Sequence, residues 1–212
     1  MKNRTSLSFI IGVALVSSCD YSDATIAGNY YPTTRGSYWT YEVKSNCDWP
    51  NQASTCITVR SASATGEELP WDSSYQPFTS VTSPNQFIKV IGHEYYGYGY
   101  YLPEYKFLDD RLPVNGSWTN GEEDYRKDVF EIEEVGATKT VSGKTYYDVI
   151  VLKNTLYYKT FNQPEPYEVV TTTNRYYARG VGEIYAKITY TLDGHPITTE
   201  YFLKDFFIAE EN

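Results

Sequence analysis

From Tyr38 onward, apolar and polar residues alternate with a period of two. Trp39, Tyr41 and Val43 interleave with Thr40, Glu42 and Lys44, and Phe130 and Ile132 with Glu131 and Glu133. Ile184, Ala186, Ile188, Tyr190 and Leu192 interleave with Tyr185, Lys187, Thr189 and Thr191. A strand sends successive side chains to opposite faces, so this pattern predicts strands with one face in a core. Residues 146–152 and 201–208 are almost all apolar or aromatic, which predicts strands covered on both faces. Pro84-Asn85, Asn115-Gly116, Asn120-Gly121, Ser142-Gly143 and Asp193-Gly194 mark turns between the runs. No window of eleven or more residues carries a helical stripe, and the Thr, Tyr and Val content favours strands. The expected class is all-β: a single antiparallel domain of about ten short strands, forming a barrel, half-barrel or sandwich. Residues 61–84, rich in Ser, Thr and Pro, read as a long surface loop.

The start of the chain breaks this pattern. Lys2 and Arg4 form a basic head, and residues 7–16 run apolar except for Ser8 and Gly12. Ser17 and Ser18 then precede Cys19. Basic head, apolar run and small residues at a cleavage point describe a secretory signal peptide. The run falls short of the roughly 20 apolar residues that a spanning helix needs. A leader ending on small residues before a cysteine resembles the lipobox of bacterial lipoproteins. That resemblance implies cleavage in front of Cys19 and its acylation, as by palmitate. The expected organisation is a signal peptide over residues 1–18, a lipid-anchored tether over 19–29 and the β domain over 30–212.

Charge narrows the partners. The chain is −9, and loss of Lys2 and Arg4 makes its body more acidic still. Nucleic acid is excluded as a partner on this reading, because phosphate contact needs clustered Lys and Arg. A basic patch cannot assist membrane attachment either, so the acyl chains must hold, and stable anchoring takes more than one. The expected location is the bacterial cell envelope, periplasmic or surface-exposed, with the outer membrane favoured. With Cys19 assigned to acylation, Cys47 and Cys56 remain, beyond an export signal and flanking turn-forming residues. A disulfide across a hairpin mouth is the favoured reading, and two separate buried thiols the alternative. No metal site is expected, since His93 and His195 are the only histidines and neither lies near the pair.

Three segments carry a further resemblance. They are Tyr30-Tyr31-Pro32 followed by Gly36-Ser37-Tyr38-Trp39-Thr40-Tyr41, then Val141-Ser142-Gly143-Lys144-Thr145-Tyr146-Tyr147-Asp148-Val149, and Tyr176-Tyr177-Ala178-Arg179-Gly180-Val181-Gly182-Glu183. Together they resemble a group of uncharacterised exported bacterial lipoproteins. The resemblance implies envelope location and β architecture, with no activity attached. Physically, Gly180 and Gly182 allow a sharp bend where a strand reverses, while Trp39 and Tyr41 read as core anchors.

Twenty-three tyrosines are the remaining anomaly. The densest cluster is Tyr95, Tyr96, Tyr98, Tyr100 and Tyr101, interrupted by Gly97 and Gly99. These five are the candidate ligand-binding residues: an aromatic platform for sugar rings or a protein partner, set against ordinary cross-strand packing. Catalytic motifs are absent, and no cofactor is expected. Acidic groups cluster at Asp109-Asp110, Glu122-Glu123-Asp124 and Glu131 with Glu133-Glu134, the middle group reading as a solvated turn. The leading expectation is a non-catalytic, lipid-anchored binding or scaffolding module for glycan or another envelope protein. The alternatives are a glycan hydrolase using paired carboxylates and a lipocalin-like carrier of an apolar ligand.

Overall fold

The computed structural model describes residues 29–32, 34–46, 55–64, 76–79, 86–99, 102–123, 126–159, 167–192 and 195–210. Cys19, the leader and tether up to residue 28, Cys47, Tyr100 and Tyr101 lie outside them. The first six strands are β1 Tyr38–Asn46, β2 Thr55–Ala64, β3 Gln76–Thr79, β4 Gln86–Ile91, β5 Glu94–Gly99 and β6 Leu102–Asp109. The second six are β7 Ser117–Glu123, β8 Arg126–Val141, β9 Lys144–Tyr158, β10 Glu168–Ala178, β11 Gly182–Leu192 and β12 His195–Phe207. The described residues contain no helix.

The all-β class therefore stands, but the strands are neither ten nor uniformly short. Twelve occur among the described residues, and β8, β9 and β12 have 16, 15 and 13 residues. Bulges explain the length. β8 stays paired with β9 through three register shifts, helped by Gly136 at φ +70°. Similarly, residues 61–84 are not one loop, because β2 runs through Ala64 and β3 occupies Gln76–Thr79. Turn chemistry holds at Ser142-Gly143, where both residues have positive φ, as a tight two-residue hairpin requires. Asn120-Gly121 is a correction: it lies inside β7, with Gly121 at φ +57° beside a register shift.

The strands pair antiparallel in the order β6-β5-β4-β3-β2-β1-β12-β11-β10-β9-β8-β7. Two meanders are thus joined where β1 pairs with β12. The sheet folds over in a sandwich-like way without closing into a barrel. Its two ends, β6 and β7, share no ladder. Instead, the Asn120 amide stands in for a strand: its Nδ2 donates to the Lys106 carbonyl at 2.5 Å, and its Oδ1 accepts from the Lys106 N–H at 3.3 Å. Trp118 Nε1 donates to the same carbonyl at 2.9 Å. Side chains thereby occupy edge groups that would otherwise invite another chain.

Between the folded halves lies the core, including Trp39, Tyr41, Ile132, Ile150, Leu152, Ile184 and Leu203. Of the run at 146–152, Tyr146 and residues 149–152 are buried, but Tyr147 and Asp148 are exposed, so only its second half is covered on both faces. The run at 201–208 is covered on one face. Tyr201 and Leu203 are buried, Phe202 and Phe206 are half-buried, and Phe207 is exposed. One covered face suffices there, since ring–ring and lysine contacts shield the other: Phe202 lies 5.2 Å from Tyr185, and Lys44 sits 4.8 Å above Phe202.

Candidate functional site

At the end of the sheet where β10 turns into β11, the three motif segments converge. Gly180 and Gly182 have φ of +70° and +105°, and the bend they make turns two carbonyls toward β1. Trp39 Nε1 donates to the Val181 carbonyl at 2.5 Å, and the Tyr41 hydroxyl to that of Glu183 at 2.8 Å. The Tyr30 hydroxyl donates to Asp148 at 2.7 Å, while Arg179 donates to both Asp148 and Tyr30 and lies over the Tyr30 ring. Burial raises the Asp148 carboxyl, but hydrogen bonds from Arg179 and Tyr30 outweigh it and hold Asp148 below the usual range. These residues form a structural knot that ties the start of the described chain to the sheet.

The tyrosine platform is divided by the pleat. Tyr95 is 0% exposed; its hydroxyl accepts from the Tyr30 N–H and donates to Asp110. It cannot present a surface to a ligand, because β5 turns it into the core. Tyr96 and Tyr98 face outward and are half-buried. Tyr96 donates to Glu94 at 2.8 Å, and that bond, with burial, pushes its hydroxyl up to about 12. Tyr98 packs 6.2 Å from Phe87. The inner gap at Gly97 is filled by a neighbour: a Cβ there would lie 2.7 Å from Cζ of Tyr105.

The Asp109-Asp110 cluster holds cations, whereas Glu133 accepts from the Asn174 amide at 3.0 Å. Asp109 contacts Lys106 and Arg111, and Glu94 joins them through Lys106. Although burial raises Asp109, the Arg111 and Lys106 hydrogen bonds bring it below the carboxylate range. Glu94 is lowered by its hydrogen bonds from Tyr96 and Lys106. Asp124 lies outside the described residues.

A different group emerges on the inner face of β10. Opposed residues share a face, so Ile132, Leu152, Arg175, Ala186, Tyr201 and Val43 form one cross-strand row. Five are buried and apolar or aromatic; the sixth is an arginine. Its partner, Glu183, reaches this face through a bulge: Tyr176 opposes Tyr185, but Tyr177 opposes Glu183, leaving Ile184 unopposed. Arg175 Nη1 donates to Glu183 Oε2 at 2.5 Å, and its charge also acts on the neighbouring Tyr177 hydroxyl. Burial opposes the Arg175 charge, but Glu183 more than restores it, so Arg175 is held above its ordinary value. Burial also raises the hydroxyls of Tyr31, Tyr41, Tyr105 and Tyr177 around the pair.

This interior is not fully packed. The Arg175 side chain keeps 32% of its surface accessible, and Tyr31 and Tyr105 are also partly accessible. Along the same face, the next row carries Asn154, Ile188 and Thr199, all half-buried, beside buried Thr173. The result is a partly accessible polar surface on the inner, concave side of the folded-over sheet, with the arginine–glutamate pair within it. Sequence reading overlooked the pair, although Arg175 at an inward position between Thr173 and Tyr177 breaks an otherwise apolar row. Among the described residues, no cluster of His, Cys, Asp and Glu is suited to a metal ion.

No protein-family model matches the chain, and no curated protein matches it in sequence. In structure it is similar to a candidate lipoprotein from Parabacteroides distasonis ATCC 8503, at 12% identity and a TM-score of 0.40. The similarity covers 85% of this chain and 99% of that one.

Proposed function

We propose that this chain is a lipid-anchored protein of the bacterial envelope whose β domain binds a partner rather than transforming one, with the concave face of β10 as its binding surface. The observation that carries the binding reading is the partly accessible Arg175, paired with buried Glu183, within an otherwise buried row. A guanidinium that is partly accessible while held by a buried carboxylate is a ready source of directed donors. The hydrolase alternative requires a carboxyl kept protonated, with its titration raised. Asp109, one of the carboxyls that alternative would use, is displaced the other way by its Arg111 and Lys106 hydrogen bonds. An apolar carrier would leave Arg175 and Glu183 without polar partners once water was displaced.

Anchoring rests on the leader and Cys19. Metabolic labelling with palmitate tests it: label is expected in the native chain and lost in Cys19→Ala, and an unlabelled native chain overturns it. The Cys47–Cys56 disulfide belongs to the same reading. Ser45 opposes Cys56 at the outer end of the β1–β2 ladder, which holds the chain leaving β1 beside the chain entering β2. Thiol counting on the unfolded Cys19→Ala chain tests it, with both thiols appearing only after reduction.

A further inference from the structure

The ligand class of the concave face can be read from its chemistry, and this step rests on the binding role proposed above. Arg175 carries a full guanidinium, yet Glu183 cancels its charge at hydrogen-bond distance. Its remaining donors, on a side chain 32% accessible, make no further hydrogen bond among the described residues. The hydroxyl end of Tyr105, on β6 at the edge of the sheet, lies over Gly97, and its hydroxyl likewise makes none. Asp128, Asn154 and Thr199 share the face toward the strand ends, and Asp128 is near enough to Tyr105 to raise it electrostatically. The surface thus presents two guanidinium–carboxylate pairs, Arg175–Glu183 and Arg126–Asp128, together with an amide, hydroxyls and tyrosine rings.

That combination discriminates among ligand classes. An anion would have to compete with Glu183 for Arg175 and with Asp128 for Arg126. A hydrocarbon strands the polar groups, each at a cost of about 1–3 kcal/mol. A ring with hydroxyls around its edge and C–H bonds on its faces satisfies both kinds of group, with hydroxyls to Arg175, Glu183 and Tyr105 and ring faces to tyrosine. We infer that the concave surface around Arg175, Glu183 and Tyr105 binds a neutral saccharide.

Calorimetric titration of the detergent-solubilised full chain with maltohexaose, xylohexaose and mannohexaose tests this, with hexagalacturonate as the charged comparator. Binding of at least one neutral hexasaccharide, insensitive to salt, is expected. Tyr105→Phe removes one hydroxyl and keeps the ring over Gly97, so it should fold and weaken binding about fivefold. Arg175→Gln should weaken it further, with circular dichroism confirming the fold; if that variant unfolds, Tyr105→Phe alone decides. Tyr147→Ala, on an exposed side chain, should bind as the native chain does. The inference is overturned if no neutral hexasaccharide binds, if hexagalacturonate alone binds, or if Tyr105→Phe binds unchanged. Palmitate labelling is independent of all three, so failure here leaves the anchoring intact.

Discussion

The indole of Trp39 donates its N–H to the carbonyl of Val181, joining residues 142 apart in the chain. Beside it, Gly182 sits at φ +105°, and a Cβ there would lie 3.3 Å from Trp39 Nε1. The bend and the indole therefore depend on each other. Trp39→Phe should cost about 1–3 kcal/mol by leaving a buried carbonyl unpaired. Gly182→Ala should cost about 1–3 kcal/mol through backbone strain. Urea unfolding should show the double variant less damaged than the two losses added together, since both act on one contact.

Gly97 and Tyr105 form a second dependent pair. Gly97→Ala places a methyl against the end of the Tyr105 ring, and overpacking of this kind typically costs about 1–3 kcal/mol. Because a ring is more easily displaced than backbone, Tyr105→Ala in the same chain should remove most of the penalty that Gly97→Ala adds. A double-mutant cycle in thermal unfolding measures this directly.

Breaking the inner ion pair should matter more than breaking those at the surface. Glu183→Gln leaves Arg175 without its counter-charge. Loss of one partner of a fully buried pair costs about 3–5 kcal/mol, and the accessible third of Arg175 lowers the expectation to about 1–3 kcal/mol. Replacing both, Arg175→Met with Glu183→Leu, should recover most of that in denaturant melts. Recovery would mark the pair as retained for something other than stability.

Acid should weaken the fold through Asp148, Asp109 and Glu94, all held below their ordinary values. A carboxyl lowered in the folded state contributes stability that is complete above its unfolded pKa, about 3.9 for Asp and 4.3 for Glu. That contribution disappears as pH falls through the folded value. Stability should thus be level above about pH 5 and decline below about pH 4. In Asp148→Asn the decline should be shallower, as urea midpoints across this range would show.

Alkali should act through the buried tyrosines. Tyr30, Tyr31, Tyr41 and Tyr177 are raised in the folded state, in each case chiefly by burial. Their contribution is complete below the unfolded value near 10 and is lost as pH climbs beyond it. Tyrosinate absorbance should therefore show a late-titrating group that appears together with unfolding, detected by circular dichroism.

Local pattern carried the strands well. Period-two alternation in β1 and β11 placed Trp39, Tyr41, Val43, Ile184 and Ala186 inside, because a strand's faces follow from parity alone. Ser142-Gly143 named its hairpin because two positive φ values in a row suit few residues. Parity failed where bulges intervene. It offered no sign that Glu183 turns inward with Tyr177, since that depends on the unopposed Ile184 between β10 and β11. Tyr95 and Tyr96 looked equally eligible as surface residues, until the position of β5 against the core separated them.

The amino-acid sequence by itself determined the all-β class, the turns at Asn115-Gly116 and Ser142-Gly143, and the inward residues of the regular strands. Each follows from rules acting over a few neighbouring residues. The expected turns at Pro84-Asn85 and Asp193-Gly194 lie outside the described residues. Only the tertiary structure decided that the three motif segments meet at one knot, that Asn120 caps the open seam and that Arg175 finds Glu183 on a concave face. Those relationships join strands distant in sequence or cross a bulge, and they arise from register and from the folding-over of the sheet.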